Sequence, residues 1–331
     1  MTVVATGIGS MPGEDATAYA EALRLALGET PDLPFLPELP GRGAPASMTG
    51  RALAVVAELG ADLQPAGWRL TDAPGVDHRR ARSLLAQDLD LLEEQAQGFT
   101  GRLKAQVAGP WTLAATVERP KGDRVLADHG ARRELAQALA EGLRDHVADL
   151  RRRVPGADLL VQVDEPALPV VLAGGVPTAS GLHRHRTVHP PEASQALEWV
   201  FAALREAGAT PVAHCCAADA PVDLLLGAGA QGVSVDLDVL RVGAYDALAG
   251  ALEKGHAVML GVVPATDPDT PPTDDAVTER VLRVLDMLGL DPQTAGDLVV
   301  TPSCGLAGAG PAWARRALAL SERVARNLST A

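Results

Sequence analysis

Short apolar segments recur along the chain, each followed by glycine, proline or aspartate and then by a helical pattern. Most of these segments are continuously apolar rather than alternating, which is typical of parallel strands buried on both faces. Eight strands are predicted, at residues 3–8, 62–65, 103–107, 158–163, 210–213, 232–235, 257–262 and 297–301. Apolar residues spaced three and four positions apart predict helices at residues 16–27, 48–59, 78–97, 124–153, 191–207, 221–228, 244–254, 274–288 and 311–327.

The alternation of strands and helices predicts an α/β fold with a parallel sheet, and eight strands are the number that closes a TIM (β/α)8 barrel. We therefore expect a single barrel domain over residues 1–331, with loop decorations at the C-terminal rim. The alternative is an open, doubly wound sheet. No G-x-G-x-x-G motif follows the first strand, so a dinucleotide site has no support. The longest polar insertion, residues 174–189, is a candidate lid.

Composition narrows the class of partner. The 331 residues carry 29 Lys and Arg against 42 Asp and Glu, a net charge of −13, which argues against nucleic acid and against an anionic membrane surface. The three cysteines form no disulfide framework and suit a reducing compartment. Residues 1–9 show no targeting signal and no apolar run approaches the ~20 residues that span a bilayer. A cytoplasmic protein is expected.

Reactive side chains follow the predicted strands at the end where a TIM barrel places its active site. They lie in the segments Gly7-Ile8-Gly9-Ser10, Gly109-Pro110-Trp111-Thr112, Asp164-Glu165-Pro166, His214-Cys215-Cys216, Asp236 and Ser303-Cys304-Gly305. This coincidence predicts a site at one rim of the barrel.

Three of these side chains have the chemistry of zinc ligands. His214 and Cys216 are two positions apart, which on an extended segment directs both side chains to the same side. Cys304 ends the last strand, and a His/Cys/Cys set with an open fourth position is the pattern of a catalytic zinc site. The alternative is that the cysteines are small buried hydrophobic residues. Cys215 is expected to be a packed bystander.

These segments also carry a family resemblance. Gly7-Ile8-Gly9-Ser10, Gln162-Val163-Asp164-Glu165-Pro166-Ala167-Leu168, His214-Cys215-Cys216, Gly232-Val233-Ser234-Val235-Asp236 and Pro302-Ser303-Cys304-Gly305-Leu306 resemble the C-terminal catalytic barrel of cobalamin-independent methionine synthase. The resemblance runs in order from residue 7 to residue 306. It implies a homocysteine S-methyltransferase of methionine biosynthesis with zinc as its cofactor.

The resemblance implies a fourth zinc ligand after the sixth strand. The family usually has Glu at this place, and here the residue is Asp236. Aspartate is one methylene shorter, so its carboxylate must approach the metal by roughly 1.5 Å or leave it. The alternative for Asp236 is a carboxylate bonded to loop backbone.

The resemblance also implies an amino-acid site. Ile8, Gly9 and Ser10 would meet the homocysteine carboxylate, and Asp164 would accept the ammonium group, because a buried ammonium needs a charged partner. Glu38 is a second candidate acid for the ammonium, with an N-cap or a solvated loop residue as the alternative.

Three further rim residues have two interpretations each. Glu165 is a weaker candidate acid for the ammonium group, and the other interpretation is that it supports a zinc ligand from behind. Trp111 and Trp68 are candidate stacking surfaces for a flat methyl donor, and the alternative is that each plugs the barrel rim. The histidines at 183, 185 and 189 lie in a basic loop without a nearby acid or thiol and are expected to be solvated. The histidines at 78, 129, 146 and 256 are expected at the surface.

Thiol chemistry suggests the mechanism and length suggests the donor. A thiol of pKa ~8.5 is mostly neutral at pH 7, and a metal that holds it as thiolate makes it a nucleophile for a methyl group. Family members that use methyl-tetrahydrofolate carry an additional N-terminal barrel, whereas this chain has one barrel. A methylcobamide or a corrinoid protein is therefore the predicted methyl donor, used by a short core form of the enzyme.

Other functions keep the same fold. A uroporphyrinogen decarboxylase-like barrel would need arginines at its mouth and would leave His214, Cys216 and Cys304 unused. A zinc-dependent transferase that opens epoxides with thiols, and a non-catalytic barrel that binds zinc or a thiol amino acid, both remain open.

Overall fold

A computed structural model describes residues 3–291 and 297–330. Its strands are β1 Val4–Ala5, β2 Gly60–Gln64, β3 Gly67–Thr71, β4 Gly101–Ala108, β5 Ala157–Asp164, β6 Thr210–Cys215, β7 Gly232–Asp236, β8 Ala257–Val263 and β9 Asp297–Pro302. Seven of them form one curled parallel sheet in the order β1-β9-β8-β7-β6-β5-β4. The α/β class is confirmed, and seven of the eight predicted strands lie in this sheet.

The predicted strand at residues 62–65 is wrong as a member of the barrel. This segment belongs to β2, which pairs antiparallel with β3 in a separate two-stranded sheet. Partly buried and buried positions alternate along β3, as expected for a strand with one face packed on the core and the other toward solvent. Leu70 N in β3 donates a backbone hydrogen bond to Glu118 O (2.8 Å), which joins the hairpin to the segment after α4.

A segment without regular strand structure lies between the two edges of the parallel sheet. Phe35 forms a single parallel bridge with Lys104 of β4, and Glu38 forms one with Ser10, which follows β1. Backbone hydrogen bonds run from Leu36 N to Lys104 O (2.8 Å) and from Glu38 N to Gly9 O (3.0 Å). Residues 34–38 therefore contact both edges. Prolines at 34, 37 and 40 remove backbone donors, which explains why the pattern did not predict a strand here.

Helices follow the strands and cover the outer face of the sheet. They are α1 Ala16–Glu29, α2 Met48–Val55, α3 Val76–Gln95, α4 Pro110–Thr116, α5 His129–Arg153, α6 Leu168–Leu172, α7 Pro190–Glu206, α8 Val222–Gly227, α9 Tyr245–Glu253, α10 Asp274–Met287 and α11 Pro311–Thr330. The predicted helix at 124–153 begins later, at His129, because Asp128 caps it by accepting a hydrogen bond from Ala131 N (2.9 Å). None of the helices in the described ranges is both long and apolar enough to cross a membrane.

The interior of the curled sheet changes from apolar to polar along the strands. Val4, Leu160, Val212, Met259 and Val299 form a buried cluster with Leu33 near the strand beginnings. On β5 the same inner face carries Gln162 and Asp164, two and four residues after Leu160. On β6 it carries His214, two residues after Val212. The apolar layer supports the base of the sheet, and the polar layer builds the site above it.

Two histidines predicted to be solvent-exposed are buried instead. His78 accepts a hydrogen bond from Ala61 N at Nδ1 (3.1 Å) and donates to Leu53 O from Nε2 (2.9 Å). His185, in the loop 174–189, places Nε2 3.2 Å from Asp123 Oδ1. Asp123 also accepts from Ala179 N (3.0 Å), so this acid from another loop anchors the candidate lid.

Candidate active site

The strand ends bring three ligand atoms together. His214 lies in the last two residues of β6, Cys216 follows β6 directly, and Cys304 follows β9. The side-chain ligand atoms of these three residues all lie within 4.8 Å of one another, with His214 buried and both cysteines partly buried. The predicted His/Cys/Cys group therefore exists in the folded chain, although its members come from strands about 90 residues apart in sequence.

The neighbouring strand orients the histidine. Ser234 on β7 is the register partner of His214, and Ser234 Oγ lies 2.9 Å from His214 Nδ1. This contact leaves Nε2 as the ring nitrogen that is available to a metal. Both residues are buried, at 1% and 3% exposure, so the hydrogen bond is shielded from competing water.

The two cysteines of the group differ in acidity. Hydrogen bonds from Cys216 and His214 lower the pKa of the Cys304 thiol to about 4, against the opposing effect of burial. The same contact with Cys304, together with burial, raises the pKa of Cys216. Cys215 points into the core, where burial raises its thiol pKa to about 12. Its packing matches the predicted bystander role.

Asp236 is not part of the three-residue group. It ends β7, is partly buried, and its Oδ1 accepts a hydrogen bond from Asp238 N (2.9 Å). Burial raises the pKa of its carboxyl. The structure thus shows the backbone-bonded alternative for this residue and leaves the predicted fourth ligand a proposal.

The donor set fits zinc. One imidazole nitrogen and two thiols are the ligands that zinc prefers. Around a tetrahedral ion with bonds of 2.0–2.3 Å, ligand atoms are separated by roughly 3.5–3.8 Å, so the group would need only a small contraction. Three protein ligands leave one position open.

A chain of hydrogen bonds lies next to this group. Asp164 is the register partner of His214, is 7% exposed, and accepts a hydrogen bond at Oδ1 from Gln162 Nε2 (2.6 Å). Gln162 Nε2 also donates to Ile8 O (3.0 Å), and Lys104 Nζ donates to the same carbonyl (2.8 Å). Burial raises the pKa of Asp164 to about 7. The predicted Asp164 and Ile8 are thus linked through two residues that were not predicted.

The predicted Glu38 is a buried acid with a cationic partner. It is 5% exposed, and Arg51 Nε lies 3.3 Å from Glu38 Oε1. This burial excludes the solvated-loop alternative. Arg51 in turn contacts Asp88, which also pairs with Arg42 (2.8 Å from Nη1 to Oδ1).

The segment that follows β1 lies against the loop of Cys304. Ser10 O accepts a hydrogen bond from Leu306 N (2.8 Å), and a Cβ atom at Gly305 would overlap Ser10 Oγ. Gly9 has φ +152°, and a Cβ there would overlap the Gln106 side chain. Glycine at both positions therefore allows this close approach.

The Glu165 carboxylate caps a helix, while the Glu165 backbone N–H donates to His214 O (2.8 Å). Its carboxylate accepts hydrogen bonds from Trp111 N (2.9 Å), Thr112 N (2.8 Å) and Thr112 Oγ1 (2.7 Å) at the beginning of α4. A Cβ at Gly109 would overlap Glu165 Oε1, so glycine is required there. Burial raises the pKa of Glu165 to about 7, and these hydrogen bonds oppose the rise.

Both tryptophans lie in the core. Trp111 is 1% exposed and its indole N–H donates to Ala193 O (3.0 Å). Trp68, in β3, is 5% exposed and packs in the same core cluster. The structure therefore favours the alternative in which both tryptophans are packing residues, and it does not place them in the group with the cysteines.

The residues that sequence reasoning missed are Lys104, Gln162, Ser234 and Arg51. Lys104 carried a usable signal, because it is one of three lysines in the chain and interrupts an apolar strand. Gln162 and Ser234 also interrupt apolar strands and lie within the motif segments. Arg51 had no signal, because its partners Glu38 and Asp88 are distant in sequence.

A curled parallel sheet with a thiol-rich ligand group at its strand ends defines a TIM-like α/β protein with a candidate metal centre. The family model described as "Cobalamin-independent synthase, Catalytic domain" matches residues 90–327. The chain belongs to this family.

Two solved structures illustrate the shared fold. A B12-independent methionine synthase from Shewanella sp. W3-18-1 in complex with selenomethionine is 15% identical, with a TM-score of 0.66 over 100% of this chain and 98% of that chain. GH5_18 from Streptomyces cattleya in complex with GlcNAc is 16% identical, with a TM-score of 0.52 over 98% and 80%. At these identities the likeness concerns the fold alone. No curated protein matches the chain.

These comparisons do not support the predicted corrinoid donor. The family is described as cobalamin-independent.

Proposed function

We propose that this protein transfers a methyl group to the thiol of homocysteine and so forms methionine. The observation that carries the proposal is the group of His214, Cys216 and Cys304 beside the buried acid Asp164, in a chain of the cobalamin-independent synthase family. The proposal includes a closed (β/α)8 barrel, formed by residues 1–331 as one domain, in which residues 34–38 take the eighth strand position.

The amino-acid end of homocysteine would bind in the polar layer of the barrel. Asp164 and Glu38 would accept hydrogen bonds from its ammonium group, since both carboxylates are buried, Asp164 is the register partner of His214, and Glu38 is bridged to Ser10. Ile8, Gly9 and Ser10 would contact its carboxylate from the segment that contacts the Cys304 loop. The Shewanella structure contains selenomethionine, an amino acid of matching size and class, which supports such a ligand.

The thiol end would meet the zinc site. His214, Cys216 and Cys304 would hold the ion, and a bound zinc would keep the substrate sulfur as a nucleophilic thiolate at neutral pH. Ser234 holds the His214 ring, so that the imidazole does not have to reorganise. Asp236 is the proposed fourth residue that would hold the ion.

Orientation is the remaining contribution of the chain. An amino acid held at both ends places its sulfur within reach of an incoming methyl group, and such positioning supplies a large part of the rate enhancement. We propose a methyl donor other than cobalamin, and methyl-tetrahydrofolate is the first to test, because the family is cobalamin-independent.

Metal content tests the zinc site. We expect about one zinc per chain in the purified protein and the loss of this zinc in Cys216→Ala and Cys304→Ala. Cys215→Ala is the matched control, because its thiol lies outside the ligand group and should leave the zinc in place. An unchanged metal content in the first two variants would contradict the site.

Methionine formation tests the activity. The zinc-loaded protein is incubated with homocysteine and, in parallel, with methyl-tetrahydrofolate or methylcobalamin, and methionine is quantified. We expect methionine from a non-corrinoid donor. A protein that binds zinc and homocysteine but forms no methionine from any donor would contradict the proposed function and favour a binding role.

A further inference from the structure

Lys104 is a buried cation below the proposed amino-acid site. It lies on β4 with 0% exposure, and its Nζ donates to Ile8 O (2.8 Å) and to Gln162 Oε1 (3.0 Å). The Phe35 ring centroid is 5.7 Å from Nζ. Burial lowers the pKa of Lys104 to about 8, while the charges of Asp164 and Glu38 oppose the shift. An ammonium group in the interior of a sheet is costly, so a compensating interaction must hold it there.

The lysine determines how the neighbouring amide is oriented. An ammonium group has only donors, so the amide oxygen of Gln162 must face Lys104. The amide nitrogen then faces Asp164 Oδ1, at 2.6 Å, and Ile8 O, at 3.0 Å. Lys104 thereby directs a donor onto one oxygen of Asp164. Within the described ranges, the other oxygen has no hydrogen-bond partner in the chain.

Buried charges of both signs surround this point. The acids Glu38, Asp88 and Asp164 lie with the bases Arg42, Arg51 and Lys104, each with at most about a tenth of its side-chain surface exposed, and the fully buried Glu165 adds a fourth acid next to Asp164. A zwitterionic amino acid brings an ammonium group that can pair with an acid here, whereas its analogue without the amino group only adds a further negative charge.

We propose that Lys104 is a positioning residue that, through Gln162, turns the Asp164 carboxylate toward the substrate ammonium group, so that the site selects a zwitterionic amino acid over the corresponding acid. The inference rests on the amino-acid site of the proposed function. It adds the residue that makes this site specific for the α-amino group.

Ligand binding to the metal-free protein tests the inference without turnover. L-methionine and its desamino analogue, 4-(methylthio)butanoate, are titrated into wild type and Lys104→Met, and the dissociation constants are measured by calorimetry. We expect wild type to bind methionine more tightly than the analogue. Lys104→Met should raise the dissociation constant of methionine by about 10- to 100-fold, because charge-assisted hydrogen bonds contribute on this scale. The dissociation constant of the analogue should change by less than about threefold, since the analogue has no ammonium group.

Two further variants separate positioning from folding. Arg102→Met removes a partly exposed cation from the same strand and should leave the selectivity unchanged. Gln162→Met breaks the link between Lys104 and Asp164 while it retains the lysine, and it should also reduce the preference for methionine. It carries the test if Lys104→Met does not fold, as judged by its melting temperature.

The outcomes are distinct from those of the activity assay. Three results would overturn the inference even if methyl transfer is observed. They are an equal loss of affinity for both ligands in Lys104→Met, a selectivity that does not change in this variant, and a wild type that does not prefer methionine. Selective binding of methionine that is lost in Lys104→Met would support it even if no methyl donor is found.

Discussion

The hydrogen bond between Ser234 and His214 allows a quantitative prediction about the metal site. Ser234→Ala removes the hydroxyl that lies 2.9 Å from His214 Nδ1 and leaves a buried ring nitrogen without its partner, since the two residues are 1% and 3% exposed. An unsatisfied buried polar group costs about 1–3 kcal/mol. If this cost falls on the metal-bound geometry, zinc affinity drops by about 5- to 150-fold, because 1.4 kcal/mol corresponds to a factor of ten. Changes of about 10- to 100-fold are typical for residues that orient metal ligands.

Competition with a chromophoric chelator measures the zinc dissociation constant of wild type and Ser234→Ala. Ser321→Ala is the matched control, because Ser321 is also fully buried but bonds to Ala317 O in α11. The control should lose stability without a change in zinc affinity. The reasoning is refuted if Ser234→Ala and wild type bind zinc equally well, or if the control weakens zinc to the same extent.

Three further predictions concern stability. Burial lowers the pKa of His78, so unfolding takes up a proton as the pH falls below the unfolded value of about 6.5, and stability is lost in that direction by at most about 1.4 kcal/mol per pH unit. His78→Gln should reduce this slope in urea unfolding between pH 5 and 6.5, and the exposed His183→Gln should have a smaller effect on it. Glu165→Gln should destabilise the protein by about 2 kcal/mol in the same assay at pH 8, because charge-assisted hydrogen bonds to α4 are lost; an unchanged midpoint would contradict the capping role. Trp111→Phe should cost about 1 kcal/mol through the lost hydrogen bond to Ala193 and should leave the KM for the methyl donor unchanged, whereas a raised KM for the donor would restore the donor-stacking interpretation.

Several features of the site were predictable because they depend on local pattern. His214 and Cys216 share a side through the two-residue period of an extended strand, and Cys304 follows a strongly apolar strand. The predicted strand at 62–65 failed because a short segment with mixed polarity does not reveal its partner, which here is an antiparallel neighbour.

The sequence by itself determined the α/β class, most strand positions and the residue types of the candidate zinc site. Burial on both faces produces continuous apolar segments, and the two-residue period of a strand depends only on neighbouring residues. Only the tertiary structure decided which charged residues meet. Lys104 with Gln162, Glu38 with Arg51, and Glu165 with the beginning of α4 are contacts across the sheet or between loops. The energy of a buried charge depends on the partners that surround it in space. For this reason the sequence indicated a metal site, while the pairing of buried charges around the proposed amino-acid site appeared only in the folded chain.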